Sequence, residues 1–226
     1  MNSNILSCKH VSKSFTRNKQ QVAVLKDINF SLKAGEIVVI RGQSGAGKSV
    51  LISVLAGLLR PDSGIINFKD FQIDNLSTSE LAKLRLNEIG VVFQSHNLLS
   101  SRTALENVMV RSFGENGKAS SHQKQAMEIL TRLGLSSRVD HFPFEMSLGE
   151  QQRVAIARLL MAAPRLILAD EPTGDVDPAT AAEIIRLLLD IVKKNQAGMV
   201  ITTHGHFPLE IAHQVFELKD GQLCES

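Results

Sequence analysis

The stretch Gly42-Gln-Ser-Gly-Ala-Gly-Lys-Ser49 constrains this chain more than any other. It follows a strand-like run, Glu36 to Ile40, and opens a helix-like pattern that continues from Lys48 to Leu59. Three glycines in six residues, then a lysine at the mouth of an apolar stretch, contribute nothing to a packed core. They suit an anion. Glycines let the backbone curl until successive N–H groups point inward as a nest. The helix that follows adds unsatisfied N-terminal donors and the positive end of its dipole. Lys48 brings a mobile charge for β- and γ-phosphates, and the Ser49 hydroxyl is a ligand for Mg2+. The pattern G-x-x-x-x-G-K-[ST] is complete in strand–loop–helix context. It predicts a nucleoside triphosphate site formed by Gly42, Gln43, Ser44, Gly45, Ala46, Gly47, Lys48, Ser49 and Val50.

The remaining chain supplies the setting. At 226 residues, with 43% hydrophobic and 21% charged side chains, there is apolar material for one large domain or for a domain with an insertion. A net charge of +2 and the lack of a dense Lys/Arg block give no reason to expect nucleic acid. Cys8 and Cys224 lie near opposite ends without metal-ligand spacing, which points to a reducing, intracellular setting. The N-terminus lacks the basic head and long apolar run of a secretory signal, and no apolar run approaches the roughly 20 residues of a membrane span.

Short strands are expected at Asn4–Lys9, Val22–Phe30, Glu36–Arg41, Ile65–Phe68 and Ile89–Phe93, with a helix over Thr78–Leu86. From about Ser95 to Ala163 the apolar period becomes helical, as in Ala104, Leu105, Val108 and Met109, then Ala126, Ile129, Leu130 and Leu133. A polar connector, Ser112 to Ser121, separates those two patterns. From Arg165 the β/α alternation returns: a strand to Asp170, a helix over Pro178–Asn195, a strand over Met199–Thr203 and a hairpin around Asp220-Gly221. This describes an α/β core, residues 1–94 and 164–226, with a helical insertion at 95–163.

Two further segments bear on the chemistry. The buried-strand pattern Leu166–Ala169 ends in Asp170-Glu171-Pro172. Ligands of parallel sheets gather beyond the carboxyl ends of strands, where a phosphate loop also lies. Asp170 is placed to hold Mg2+, and Glu171 to orient or deprotonate the water that attacks a γ-phosphate. A second acid beside the metal aspartate favours hydrolysis over transfer to an acceptor hydroxyl. The other segment, Met146-Ser-Leu-Gly-Glu-Gln-Gln-Arg153, opens a helix running to about Met161. Ser147 and Glu150 form an S-x-x-E capping box, which is sufficient to start any helix. A cap does not explain Gly149 or the QQRVAIAR that follows.

That segment resembles the signature of the ATP-binding-cassette (ABC) ATPases, usually L-S-G-G-Q or L-S-G-G-E, and the other motifs fall into the order of that family along nearly the whole chain. Gln94, ending VVFQ, resembles the glutamine that reaches Mg2+ and the attacking water. Thr173-Gly-Asp-Val-Asp177 resembles the loop that crosses to a second subunit. His204 resembles the histidine that contacts the γ-phosphate, and Phe15 the aromatic residue that stacks on adenine. Leu148 departs from the usual glycine of the signature, and Phe15 from a common tyrosine; stacking uses the ring face, so phenylalanine serves. The resemblance implies a P-loop NTPase of the ABC type: a mixed central sheet, an N-terminal antiparallel β part and an inserted helical subdomain.

It also implies partners. Two copies would pair head to tail, each ATP lying between the phosphate loop of one and Ser147, Gly149 and Glu150 of the other, with Asp177 nearby. A separate membrane permease would dock beside Gln94 to Arg111 and hold the chain on the cytoplasmic face of the cell membrane. NLLSSRTALENV and ADEPTGDVD look most like the lipoprotein-release, macrolide-export and cell-division subfamily. A non-transport regulator of a membrane protein, as in cell division, would use the same motifs. A chromosome-maintenance ATPase would carry a long coiled-coil insertion, and a kinase would act on an acceptor without ATP-driven dimerisation.

Overall fold

The computed structural model describes residues 4–95, 97–112, 119–174, 176–204 and 207–225. It opens with a long hairpin, β1 (Asn4–Arg17) and β2 (Gln20–Lys33), closed by Asn18-Lys19 with both residues left-handed at φ 48° and 63°. Left-handed backbone at both central positions is the hairpin turn that matches strand twist. The two strands are longer than their alternation suggests, because bulges interrupt them. His10 and Asp27 both adopt φ 53°, and the register shifts between Cys8 and Val11.

The chain then enters the central sheet as β3 (Ile37–Arg41), passes through the glycine loop and forms α1 (Lys48–Leu55). That helix stops short of Leu59. Gly57 turns left-handed at φ 63°, the Leu58 N–H donates to Ser53 O at 2.9 Å and the Gly57 N–H to Val54 O at 3.1 Å. This is a Schellman closure, so glycine ends the helix before Pro61 is reached. β4 (Ser63–Phe68) and β5 (Phe71–Gln72) complete a four-stranded antiparallel sheet in the order β2-β1-β4-β5.

α2 (Thr78–Asn87) starts at a capping box of Ser77 and Glu80 and leads into β6 (Ile89–Val92). Three helices follow: α3 (Ala104–Val108), α4 (Ala119–Arg132) and α5 (Leu148–Ala162). Phe113 to Lys118, within the connector between α3 and α4, lie outside the described residues. β7 (Leu166–Asp170), α6 (Pro178–Asn195), β8 (Gly198–Thr203), β9 (Gln214–Lys219) and β10 (Gln222–Glu225) complete the chain. The hairpin between β9 and β10 turns at left-handed Asp220 and Gly221, as the sequence suggests.

The second sheet has the order β10-β9-β3-β8-β7-β6, parallel except for β10. Both faces are covered, and alternate side chains serve different cores. Val38, Ile40, Leu166, Leu168 and Val200 face the antiparallel sheet and α1. Ile37, Val39, Ile167, Ala169, Met199 and Ile201 face the helical side. Burial on both faces fixes the register, since a one-residue slip would exchange the two sets. The carboxyl ends of β3, β8, β7 and β6 therefore stand side by side.

Candidate active site

The residues just beyond those four strand ends are Gly42, His204, Glu171 and Gln94, and the sheet order alone brings them together. They border a cleft of about 450 Å3, within the usual range for small-molecule sites. Phe15, Ser44, Gly45, Gly47, Lys48, Ser49, Val50, Gln94, Glu171 and His204 line it, all expected site residues, together with Val24. Gly42 packs so closely on β9 that an added Cβ would lie 2.7 Å from Leu218 O, so the loop is braced from behind. Gln43 and Ala46 lie on the other side of the loop, in a second groove shared with Glu217, Lys219 and Asp220.

The cradle depends on glycine at a defined point. Gly47, the N-cap of α1, sits at φ 102°, and a Cβ there would meet Val24 Cγ1 at 2.9 Å. Lys48 follows and turns back into the loop. Its Nζ donates to Gly42 O at 2.8 Å and Gln43 O at 3.0 Å, and it pairs with Glu171 Oε1 at 3.0 Å. The lysine side chain is only 4% exposed and the glutamate side chain 11%. Burying such a pair carries a desolvation penalty that its Coulomb attraction offsets only with good geometry. The arrangement holds a cation where phosphate oxygens would meet it.

Glu171 bridges two groups. Its other oxygen, Oε2, lies 2.5 Å from His204 Nδ1. Its own backbone is left-handed at φ 46°, an uncommon state for a residue with a side chain. The Glu171 N–H donates to Thr202 O at 3.0 Å, which anchors the turn on β8. Asp170, directly before it, is buried and accepts from Thr202 Oγ1 at 2.6 Å. Thr202 thus orients the carboxylate that the sequence suggests for Mg2+. The pairing of β7 with β8 places them opposite each other. Sequence reasoning missed Thr202, although the ITTH segment contains it; Val24 had no signal beyond its strand.

Phe15 stands at the cleft mouth, 39% exposed, with Lys13 Nζ 5.6 Å from the ring centroid. Lys13 also pairs with Asp62 at 2.7 Å and holds that carboxyl below its ordinary range, so the ammonium is fixed from two sides.

Ser147, Gly149, Glu150 and Asp177 are not among the residues lining the cleft. Ser147 caps α5, accepting from the Glu150 N–H, while the Glu150 side chain accepts from the Ser147 N–H at 2.8 Å. Arg138 Nε lies 2.8 Å from Glu150. Those two contacts, the Arg138 bond first, hold the Glu150 carboxyl down to about 2. Ser147 is exposed and Leu148 is 55% exposed. A Cβ on Gly149 would find only ordinary contacts, Thr180 Cγ2 at 3.6 Å and Val176 Cγ1 at 3.9 Å. Asp177 caps α6, accepting from the Ala179 and Thr180 N–H groups at 3.0 Å each. Asp175, in the same loop, lies outside the described residues.

The segment after Gln94 is pinned from below. Asn107, fully buried on α3, accepts from the Leu99 N–H at 2.8 Å and donates to Leu99, Arg102 and Thr103 carbonyls. Glu106 completes the capping box of α3 with Thr103, so its carboxylate has a structural task as well as a place on the surface. The side chain of Arg111 lies outside the described residues. Among the described residues no helix is long and apolar enough to cross a membrane.

Known proteins share both the sequence and the fold of this chain. A family model described as ABC transporter matches residues 25–174. The lipoprotein-releasing system ATP-binding protein LolD of Francisella tularensis is 41% identical over 224 residues, covering 99% of this chain and 97% of that one. The macrolide export ATP-binding/permease protein MacB of Pectobacterium atrosepticum is 39% identical over 223 residues, 99% of this chain but 34% of that longer protein. Among solved structures, the dimeric form of MJ0796, described as a bacterial ABC transporter cassette, superposes with a TM-score of 0.91 at 35% identity and 96% coverage of both chains. A dimeric post-hydrolysis state of MJ0796 bound to ADP and Pi gives 0.88 at 34% identity, again with 96% of both chains covered.

Proposed function

The chain belongs to the ABC transporter family, and from that premise we propose that it is the ATP-binding and ATP-hydrolysing subunit of a membrane transporter of the lipoprotein-release or macrolide-export type. One observation carries the reading of the site. Lys48, buried in a glycine loop, pairs directly with the acid that follows β7, in the same cleft as Phe15 and His204.

In this reading the loop N–H groups and Lys48 hold the β- and γ-phosphates, and Phe15 stacks on adenine. Glu171 is the general base: its carboxylate orients the attacking water and takes its proton. Positioned bases of this kind contribute about 10^2- to 10^4-fold. His204, hydrogen-bonded to Glu171, contacts the γ-phosphate, and Gln94 closes the far side. The Ser49 hydroxyl, the Gln94 amide and Asp170 are hard oxygen donors, few in number. That set suits Mg2+ held partly by phosphate. The ion would supply charge neutralisation at the β- and γ-oxygens.

Segment 95–163 serves as a helical subdomain on the α/β core formed by 1–94 and 164–226. It presents Ser147, Gly149 and Glu150 to the nucleotide of a second copy, and Asp177 lies in the loop that crosses between copies. ATP then joins two chains, and hydrolysis separates them, a switch driven by differential affinity for the closed form. The segment from Gln94 to Arg111 passes this motion to a membrane-embedded partner, which holds the chain at the cytoplasmic face. The test is a pair of variants. Glu171→Gln retains ATP binding and loses most turnover, whereas Lys48→Ala loses binding itself. Normal hydrolysis by the Glu171 variant would remove the base from this scheme.

A further inference from the structure

We propose that Gln152 is a positioning residue for hydrolysis, tying the helix that begins at Ser147 to the turn that aims Glu171. Gln152 is 1% exposed and lies on the inner face of α5. Its Nε2 donates to Pro172 O at 2.7 Å. Its Oε1 is also buried and has no hydrogen-bond partner among the described residues. A half-satisfied buried amide is unfavourable compared with an apolar side chain of similar volume. Packing alone would therefore be better served by methionine or leucine. What the glutamine adds is one bond, made to the residue directly after Glu171. The amide orientation follows from chemistry, since a carbonyl oxygen must be met by a donor.

That bond matters because of the backbone it holds. Glu171 is left-handed at φ 46° and precedes a proline, which biases the residue before it towards extended conformations. A strained turn of this kind persists only where its surroundings over-determine it. Three contacts do so. The Glu171 N–H donates to Thr202 O on β8, the Gly174 N–H closes the turn on Glu171 O at 3.1 Å, and Gln152 holds Pro172 O from α5. Two of the three come from the core and the turn itself; the third makes the carboxylate's aim depend on where α5 lies.

The inference rests on Glu171 as general base and on the exposed start of α5 meeting a second copy's nucleotide. Gln152 is five residues beyond Ser147, about 7.5 Å along a rigid helix. Engagement of Ser147 by the partner's nucleotide is thereby transmitted to the chain's own Glu171, so the two sites of a dimer are coupled through one side chain in each copy.

The test uses the full chain with Gln152→Met, which keeps volume and removes the donor, and Gln152→Glu, which keeps shape and replaces the donor with an acceptor. Each is also combined with Glu171→Gln. Both single variants should lose about ten- to hundredfold in kcat, with ATP KM within about twofold of the parent. Tm should change little for Gln152→Met and fall for Gln152→Glu, which buries a carboxylate against a carbonyl oxygen. In the Glu171→Gln background, single-turnover assays with labelled ATP should show no further loss. Multiplying losses, or a parental kcat in the Met and Glu variants, would overturn the positioning role and leave the base intact. Normal turnover in Glu171→Gln alone would instead remove the base, and this proposal with it.

Discussion

The phosphate loop and the tip of α5 both carry glycine and serine, yet the folded chain uses them differently. In the loop, the requirement for glycine is internal. Gly47 is left-handed and has no room for a Cβ against Val24, and Lys48 satisfies its charge on the loop carbonyls and Glu171. At α5, the chain uses Ser147 and Glu150 for a cap and places no demand on Gly149, where a Cβ would lie 3.6 Å from Thr180 Cγ2. Ser147 and Leu148 face outward. One half of the site is completed by folding. The other is left exposed, and the proposed function gives it the nucleotide of a second copy.

Substitutions can separate those two kinds of requirement. The largest effect is expected at Gly47→Ala, where left-handed strain and overlap with Val24 should cost about 3 kcal/mol. Urea unfolding of the isolated protein measures this, and a stability near the parent's would mean the loop relaxes easily. Gly149→Ala should behave oppositely. Alanine in a first helical turn is neutral or stabilising by up to about 1 kcal/mol, while ATP turnover falls about tenfold, or 1.4 kcal/mol of barrier. A destabilised Gly149 variant would show an internal need and erase the contrast.

Ser147→Ala lies between them. Loss of the cap should lower stability by about 1 kcal/mol, and turnover should fall further than the fraction unfolded explains. Smallest is Glu150→Gln, which replaces a carboxylate shared by Arg138 and the Ser147 N–H and should cost less than about 1 kcal/mol near neutral pH. Because folding lowers this carboxyl from 4.5 to about 2, its contribution is full above 4.5 and disappears as pH falls towards 2. Acid titration of stability should be flatter for the Gln variant across that window. Parallel curves would show that the carboxylate contributes nothing.

The same division marks what the sequence revealed. Gly42 to Ser49 and Asp170-Glu171 could be read directly, because a left-handed loop beside a buried strand restricts residue types strongly. The extent of β1 and β2 could not, since bulges at His10 and Asp27 break the alternation and Asn18-Lys19 is a weak turn signal. α1 ends short of Leu59, because an apolar pattern carries no sign of the closure that left-handed Gly57 makes. Gln152 and Thr202 were hidden for another reason. A polar residue on a helix or strand reads as surface until the fold buries it against a particular carbonyl or carboxylate.

The central claim is that one nucleotide is shared between two chains. Sedimentation of Glu171→Gln, with and without saturating ATP and Mg2+, tests it directly. The account predicts twice the chain mass with ATP and a single chain without it. A single chain under both conditions, at concentrations where the protein demonstrably binds ATP, would contradict it.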